Sequence, residues 1–342
     1  MAVKLDAGLG TEGNYLRNVE RTARAAEDFG FRGLWASETM HDGFLPLAIA
    51  ANATEGIELG TSVAIAFSRS PMEAAQTAWD LQSLSDGRFV LGLGTQVRAH
   101  VERRFSMPFD RPAARLREYI LALRAIWESF QSGGRLAFEG EFYRHTLMTP
   151  FFNPGPIEHP EIPVYIAGVN TKLAGLAGEL CDGFHVHPFH SPEYVRRTVE
   201  PAVAEGAKAA GRSANEVVLA TSVFVISGDS EEEISEARES VRSQISFYAS
   251  TPTYRTVLEA HGWEPFGERL GVLAREKRWR EMPGLVTDEM LGAFAVEAPP
   301  EELGPALEER YEGLIDRVSL YLPLVPGERD EFWRKVIGSF SG

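Results

Sequence analysis

Residues 57–94 read IELGTSVAIAFSRSPMEAAQTAWDLQSLSDGRFVLGLG, and this stretch decides the fold class. An apolar, β-rich run at 57–65 is followed by a segment at 71–84 whose apolar residues recur every three or four positions, then by a second apolar run at 88–93. Strand, amphipathic helix, strand is the unit that joins parallel strands through a crossover. The same alternation continues in both directions. Eight strands are expected, at 3–9, 33–37, 57–65, 88–93, 163–167, 183–188, 217–227 and 317–322, with helices at 15–29, 71–84 and 113–130 among the connections. Gly30 follows the first helix as a C-cap. Eight such units with no obvious linker favour a closed α/β (β/α)8 TIM barrel over an open doubly wound sheet, as one domain spanning 1–342. Three segments break the rhythm and are expected as insertions: an arginine-dense excursion at 96–117, a turn-rich stretch at 136–163, and 250–294.

Charge and composition narrow the function classes. Lys plus Arg number 34 against 49 Asp plus Glu, a net charge of −15 that repels phosphate backbones and anionic lipid heads. No nucleic-acid or membrane partner is expected. No apolar run approaches the roughly 20 residues of a membrane span, and the N-terminus lacks a signal-peptide stretch, so a cytoplasmic location is expected. The single cysteine, Cys181, excludes an internal disulfide, and it excludes a zinc site built from four cysteines or from a cysteine pair with a histidine pair. Redox chemistry would have to come from a bound cofactor.

In barrels of this type the chemistry sits at the C-terminal ends of the strands. The second strand runs into Glu38, Thr39 and His41, a carboxylate at the mouth with an imidazole beyond it. That pair reads either as a site for proton handling and for anchoring a heterocycle, or as a strand cap and a solvated loop residue. The third and fourth strands end in small residues, Thr61-Ser62-Val63-Ala64 and Gly92-Leu93-Gly94-Thr95-Gln96, which let a flat ligand approach the backbone. Val97 stands where a dinucleotide fingerprint needs its third glycine, so that motif fails. Ala167-Gly168-Val169-Asn170 leads into a helical segment and reads equally as a phosphate cradle or as an ordinary turn with Asn170 or Thr171 as N-cap. His185 and His187 alternate on one face of the sixth strand, where they could hold a metal or hydrogen-bond a ligand.

Trp35-Ala-Ser-Glu38, Leu59-Gly-Thr-Ser-Val63, Gly92-Leu-Gly-Thr95, Ile162-Pro-Val-Tyr-Ile-Ala-Gly168 and Asp182-Gly183, in that order, resemble the bacterial luciferase-like family, and within it the oxidoreductases that use the deazaflavin coenzyme F420. The resemblance implies a (β/α)8 barrel with insertions, a homodimer, and hydride transfer between F420 and a small organic substrate. It implies that Glu38 lies beside the coenzyme ring with Thr39 next to it, that Ser62 and Val63 are joined by a non-prolyl cis peptide behind the ring with Ala64 following, and that Gly94, Thr95 and Gln96 line its path. Ala167, Gly168, Val169 and Asn170 would hold the cofactor phosphate. Many relatives carry a histidine directly after the acidic residue; here that position is Thr39, which leaves Glu38, His41 and His187 as the catalytic candidates. An FMN-dependent monooxygenase is the nearest alternative. A metal-dependent barrel hydrolase using Glu38, His185 and His187, and a non-catalytic flavin-binding protein, are the others; no metal is expected in the principal reading.

Overall fold

The computed structural model describes residues 3–10 and 15–340. Eight parallel strands close on themselves: β1 (Lys4–Leu9), β2 (Gly33–Ala36), β3 (Glu58–Thr61), β4 (Phe89–Gly94), β5 (Val164–Gly168), β6 (Gly183–Val186), β7 (Val218–Ile226) and β8 (Arg317–Leu324). Each pairs with the next in chain order, and β8 pairs back onto β1 through Lys4 opposite Arg317. This is a closed (β/α)8 TIM barrel, and helices ring it. Helix α1 (Tyr15–Phe29) ends at Gly30, whose φ of 97° is open to glycine at little steric cost. Helix α2 (Pro71–Leu84) starts on Ser70, whose hydroxyl accepts from the Glu73 N–H, with Pro71 at the position where its missing donor costs nothing.

The expected third strand does not run unbroken from 57 to 65. It pauses after Thr61, the Ser62–Val63 peptide is cis, and pairing resumes at Ala64–Ile65 against Leu93 and Gly94. The insertions keep to the outside of the strand circuit. Residues 136–163 contain a short antiparallel pair, Phe138–Glu139 with Arg144–His145, beside backbone N–H groups of 141, 142 and 143 that all donate to Glu118. Residues 250–294 carry helices Arg255–Glu259, Glu264–Arg275 and Asp288–Phe294, and then Ala295–Glu297 adds a strand beside β7. No helix among the described residues is long and apolar enough to cross a membrane.

Most of the apolar core lies between barrel and helices, while Trp35, Val90 and Tyr165 form a separate small cluster with Trp35 facing the strand interior. Glycines make the room. A Cβ at Gly60 would sit 2.2 Å from the Trp35 ring, and one at Gly33 would sit 2.5 Å from the Arg317 guanidinium. Arg317 is 3% exposed and reaches two strands: its Nε and Nη2 donate to the Asp6 carboxylate at 2.8 Å each, and Nη1 donates to Glu58. Trp35 Nε1 donates to the same Asp6 at 2.8 Å, and the guanidinium lies 5.2 Å over the Trp35 ring.

Removing one partner of a buried ion pair costs about 3–5 kcal/mol because the other charge is left without compensation. Arg317→Met should therefore lower the unfolding free energy by about that amount in urea titrations. A change within experimental scatter would show that the network contributes nothing net.

Candidate active site

The C-terminal ends of the strands surround a cavity of about 490 Å³. Of the candidate residues, Glu38, Thr39, Ser62, Val63, Gly94, Thr95, Gln96, Ala167, Gly168, Val169, Asn170, His185 and His187 all line it. Two do not. Ala64 is fully buried in its short strand, and His41 lies exposed, stacked on Tyr15 with ring centroids 5.2 Å apart. Asp6 and Trp35 also line the cavity, so the buried ion-pair network reaches it from below.

One wall is backbone. Ser37 Oγ donates to the Ser62 carbonyl at 2.8 Å, Ser62 N–H donates to Ala36, and Glu38 N–H donates to the Val63 carbonyl, so the end of β2 holds the cis segment. A Cβ at Gly94 would stand 2.6 Å from Val63 Cγ2, which shows how closely the two strand ends approach there. Opposite, Asn170 caps helix α3 (Thr171–Leu180): its side chain accepts from Leu173 N–H at 3.0 Å. The Val169 carbonyl accepts from Tyr194 and Thr256 hydroxyls, which pins the loop. Of the two expectations for this loop, the turn with Asn170 as N-cap is formed. Gly168 is required for packing as well, since a Cβ there would be 2.6 Å from Leu173 Cβ.

Glu38 does not present a free carboxylate. Arg69 forks onto it at 2.8 and 2.6 Å, Ile65 N–H donates to it at 2.6 Å, and Arg69 and Glu38 side chains are 10% and 6% exposed. Asp42 stands 3.5 Å from the same guanidinium and Phe44 lies beneath it at 4.9 Å. Arg69 escapes a sequence reading, although a signal exists: a cation immediately ahead of a helix N-terminus opposes the macrodipole and needs a tertiary partner. Five of the six arginines of 96–117 are likewise spent separately. Arg98 pairs with Glu102, Arg104 donates to the Thr39 carbonyl, Arg111 pairs with Glu141, Arg115 donates to Tyr143 Oη, and Arg117 pairs with Glu179.

Three imidazoles, buried His185 and His190 and half-buried His187, stay neutral. Burial pushes His185 down to about 3, with Arg317 adding to the effect; burial pushes His187 to about 3, with His190 adding; burial pushes His190 to about 4, with Arg310 adding. His190 is structural, held by the His187 and Pro188 carbonyls and by Tyr311 Oη at 2.9 Å. His187 faces the cavity and is hydrogen-bonded at both nitrogens, to Phe189 N–H and Tyr254 Oη. Tyr248, Tyr254 and Tyr321, all in the lining, lay outside the sequence-derived candidates. The metal-hydrolase alternative is not assembled: the described residues bring three ligating groups together only at exposed Asp86, Glu158 and His159, and Glu38, which that reading needs, is held by Arg69.

The profile of the luciferase-like monooxygenase family matches residues 1–317. The chain belongs to that family. It is 46% identical over 316 residues to an uncharacterized protein of Mycobacterium tuberculosis, covering 92% of each chain. It is 27% identical over 326 residues to a 5,10-methylenetetrahydromethanopterin reductase of Methanolobus tindarius, covering 94% of each. Among solved structures, this luciferase-like barrel superposes on the coenzyme F420-dependent tetrahydromethanopterin reductase of Methanopyrus kandleri with a TM-score of 0.79 at 22% identity over 99% of both chains. It also superposes on a riboflavin lyase holding modified FMN, with a TM-score of 0.75 at 14% identity over 99% of this chain and 91% of that one.

Glu38→Gln leaves the buried Arg69 with only the more distant Asp42 as countercharge and should cost about 3 kcal/mol of stability, read in denaturant unfolding. The histidines set a pH dependence. Unfolded imidazoles take a proton near 6.5, while His185, His187 and His190 resist it until about 3 to 4. Between those values the unfolded chain binds more protons, so stability falls as pH drops through about 6.5. Denaturant midpoints measured from pH 7 down to 5 should decline steadily; a flat profile would contradict neutral buried imidazoles.

Proposed function

We propose that the protein is an oxidoreductase that binds coenzyme F420 in the barrel-mouth cavity and transfers a hydride between it and a small organic substrate. The carrying observation is that one cavity unites a wall of strand ends at Ser62, Val63 and Gly94 with the capped helix start at Gly168 to Asn170. Sequence likeness to a full-length reductase supports a reducing chemistry. The residues fit such a coenzyme. At Gly94 no side chain stands between a flat ring and the strand backbone, and Val63 packs so closely there that a single added Cβ would meet its Cγ2. The N–H groups at the start of α3 suit a phosphate.

When bound, F420 supplies the hydride chemistry; the protein supplies orientation and electrostatics. Glu38 and Arg69 act through each other: the ion pair holds Ile65 and the end of β2, which in turn hold the Ser62–Val63 wall. Glu38 is a positioning residue in this reading. His187 and Tyr254 form the polar face of the opposite wall, and His185 closes the interior beside Trp35 at 5.0 Å between ring centroids.

Equilibrium binding of F420 and FMN to the purified chain tests the reading. F420 should bind at least about tenfold more tightly, a difference of about 1.4 kcal/mol. Gly94→Val pushes Val63 out of its place in the cavity wall and should reduce F420 affinity by about tenfold or more, with circular dichroism unchanged. Tighter binding of FMN, or unaltered F420 affinity in the Gly94 variant, would overturn the assignment.

A further inference from the structure

We infer that Tyr254 is the hydrogen-bond donor that selects the substrate, and that it selects a neutral molecule through a carbonyl or hydroxyl oxygen. The inference rests on the reading that substrate meets coenzyme in this cavity, and it starts from the tautomer of His187. The Phe189 N–H donates to His187 Nδ1 at 3.0 Å, so that nitrogen carries a lone pair. A neutral ring then carries its proton on Nε2, which faces Tyr254 Oη at 3.1 Å. The imidazole donates and the phenol oxygen accepts. Tyr254 keeps its own proton uncommitted, and among the described residues no acceptor takes it. The ring is fixed in place by His187 at 4.5 Å and Tyr248 at 5.4 Å between centroids. A rigid phenol with a spare proton in a cavity wall is a donor waiting for an oxygen.

The charge inventory determines what kind of oxygen. Lys and Arg contribute nothing to the lining of the cavity, whose only charged members among the described residues are Asp6 and Glu38. Each of those is already matched, Asp6 by Arg317 and Glu38 by Arg69. With the helix start at Gly168 to Asn170 taken by the coenzyme phosphate, a carboxylate or phosphate substrate entering beside Tyr254 would lose its water and find no countercharge, a large cost. A cationic substrate would find both carboxylates already occupied. A second tyrosine pair, Tyr248 Oη and Tyr321 Oη 3.0 Å apart, adds aromatic surface and further neutral hydrogen-bonding capacity beside Tyr254. The cavity therefore favours an uncharged body that presents a neutral oxygen to Tyr254.

Ligand-observed NMR titration of the coenzyme-free chain in inorganic phosphate, which fills the anion-favouring start of α3, tests this with two probes of equal ring size, cyclohexanone and cyclohexanecarboxylate. Cyclohexanone should bind, and Tyr254→Phe should weaken it about three- to tenfold, the loss of one neutral hydrogen bond. Cyclohexanecarboxylate should bind the wild-type chain at least about tenfold more weakly than the ketone, an arm that needs no variant. Undetectable ketone binding, equal ketone affinity in Tyr254→Phe, or a carboxylate that binds as well as the ketone would each overturn the inference. F420 binding to wild type and to Tyr254→Phe is measured separately. Its absence in wild type would remove the coenzyme assignment while leaving the ketone result to stand on its own.

Discussion

The closed barrel turns on one buried cation. Arg317 opens the last strand, and from there it holds Asp6 on the first strand and Glu58 on the third, while Asp6 also takes the Trp35 indole N–H from the second. Four strands thus share one network at the point where the sheet closes on itself. Such a network is a weak source of net stability but a strict one for geometry, because misregistered strands would leave an arginine and a carboxylate buried without partners. The glycines at 33 and 60 belong to the same constraint. Each stands where a Cβ would displace the arginine or the indole, so strand positions that favour branched residues elsewhere carry none here.

That network is also the underside of the cavity. Asp6 and Trp35 line it from below, and a second buried pair, Arg69 with Glu38, braces its side. Both pairs consume their own charge. What remains facing the cavity is backbone, neutral imidazole, phenol and the hydroxyls and amides of residues such as Ser37, Thr95, Gln96 and Ser222, a surface of low charge. In an acidic chain with net charge −15 this is a pronounced local contrast. Desolvated reactions benefit from such surroundings, because prepositioned dipoles need no reorganisation when charge moves.

Membership of the luciferase-like family leaves considerable room for difference in chemistry. The same fold serves proteins described with F420 and with FMN. In this chain Thr39 follows Glu38 at the cavity, and Thr253 and Tyr254 are carried into it from the 250–294 segment. Variation in segments that follow barrel strands is how this architecture changes substrates while keeping its core.

The sequence alone determined the barrel. Period-two and period-3.6 patterns are local, and helices at 15–29 and 71–84 have the bounds their periodicity predicts. It also located most of the cavity, because strand C-termini converge in any such barrel: Ser62, Gly94, Gly168 and His187 come together from segments far apart in the chain. What it could not give were partners. Glu38 reads as a free carboxylate until Arg69, 31 residues on, is folded against it. His41 reads as a site residue until the loop turns it onto Tyr15. Tyr254 sits in a segment that looks like an insertion, and its hydroxyl acquires meaning only beside His187, 67 residues earlier. Periodicity is set by the backbone within a few residues, whereas ion pairing, tautomer and burial are set by side chains that meet only after the chain has closed. Only the tertiary structure decides those.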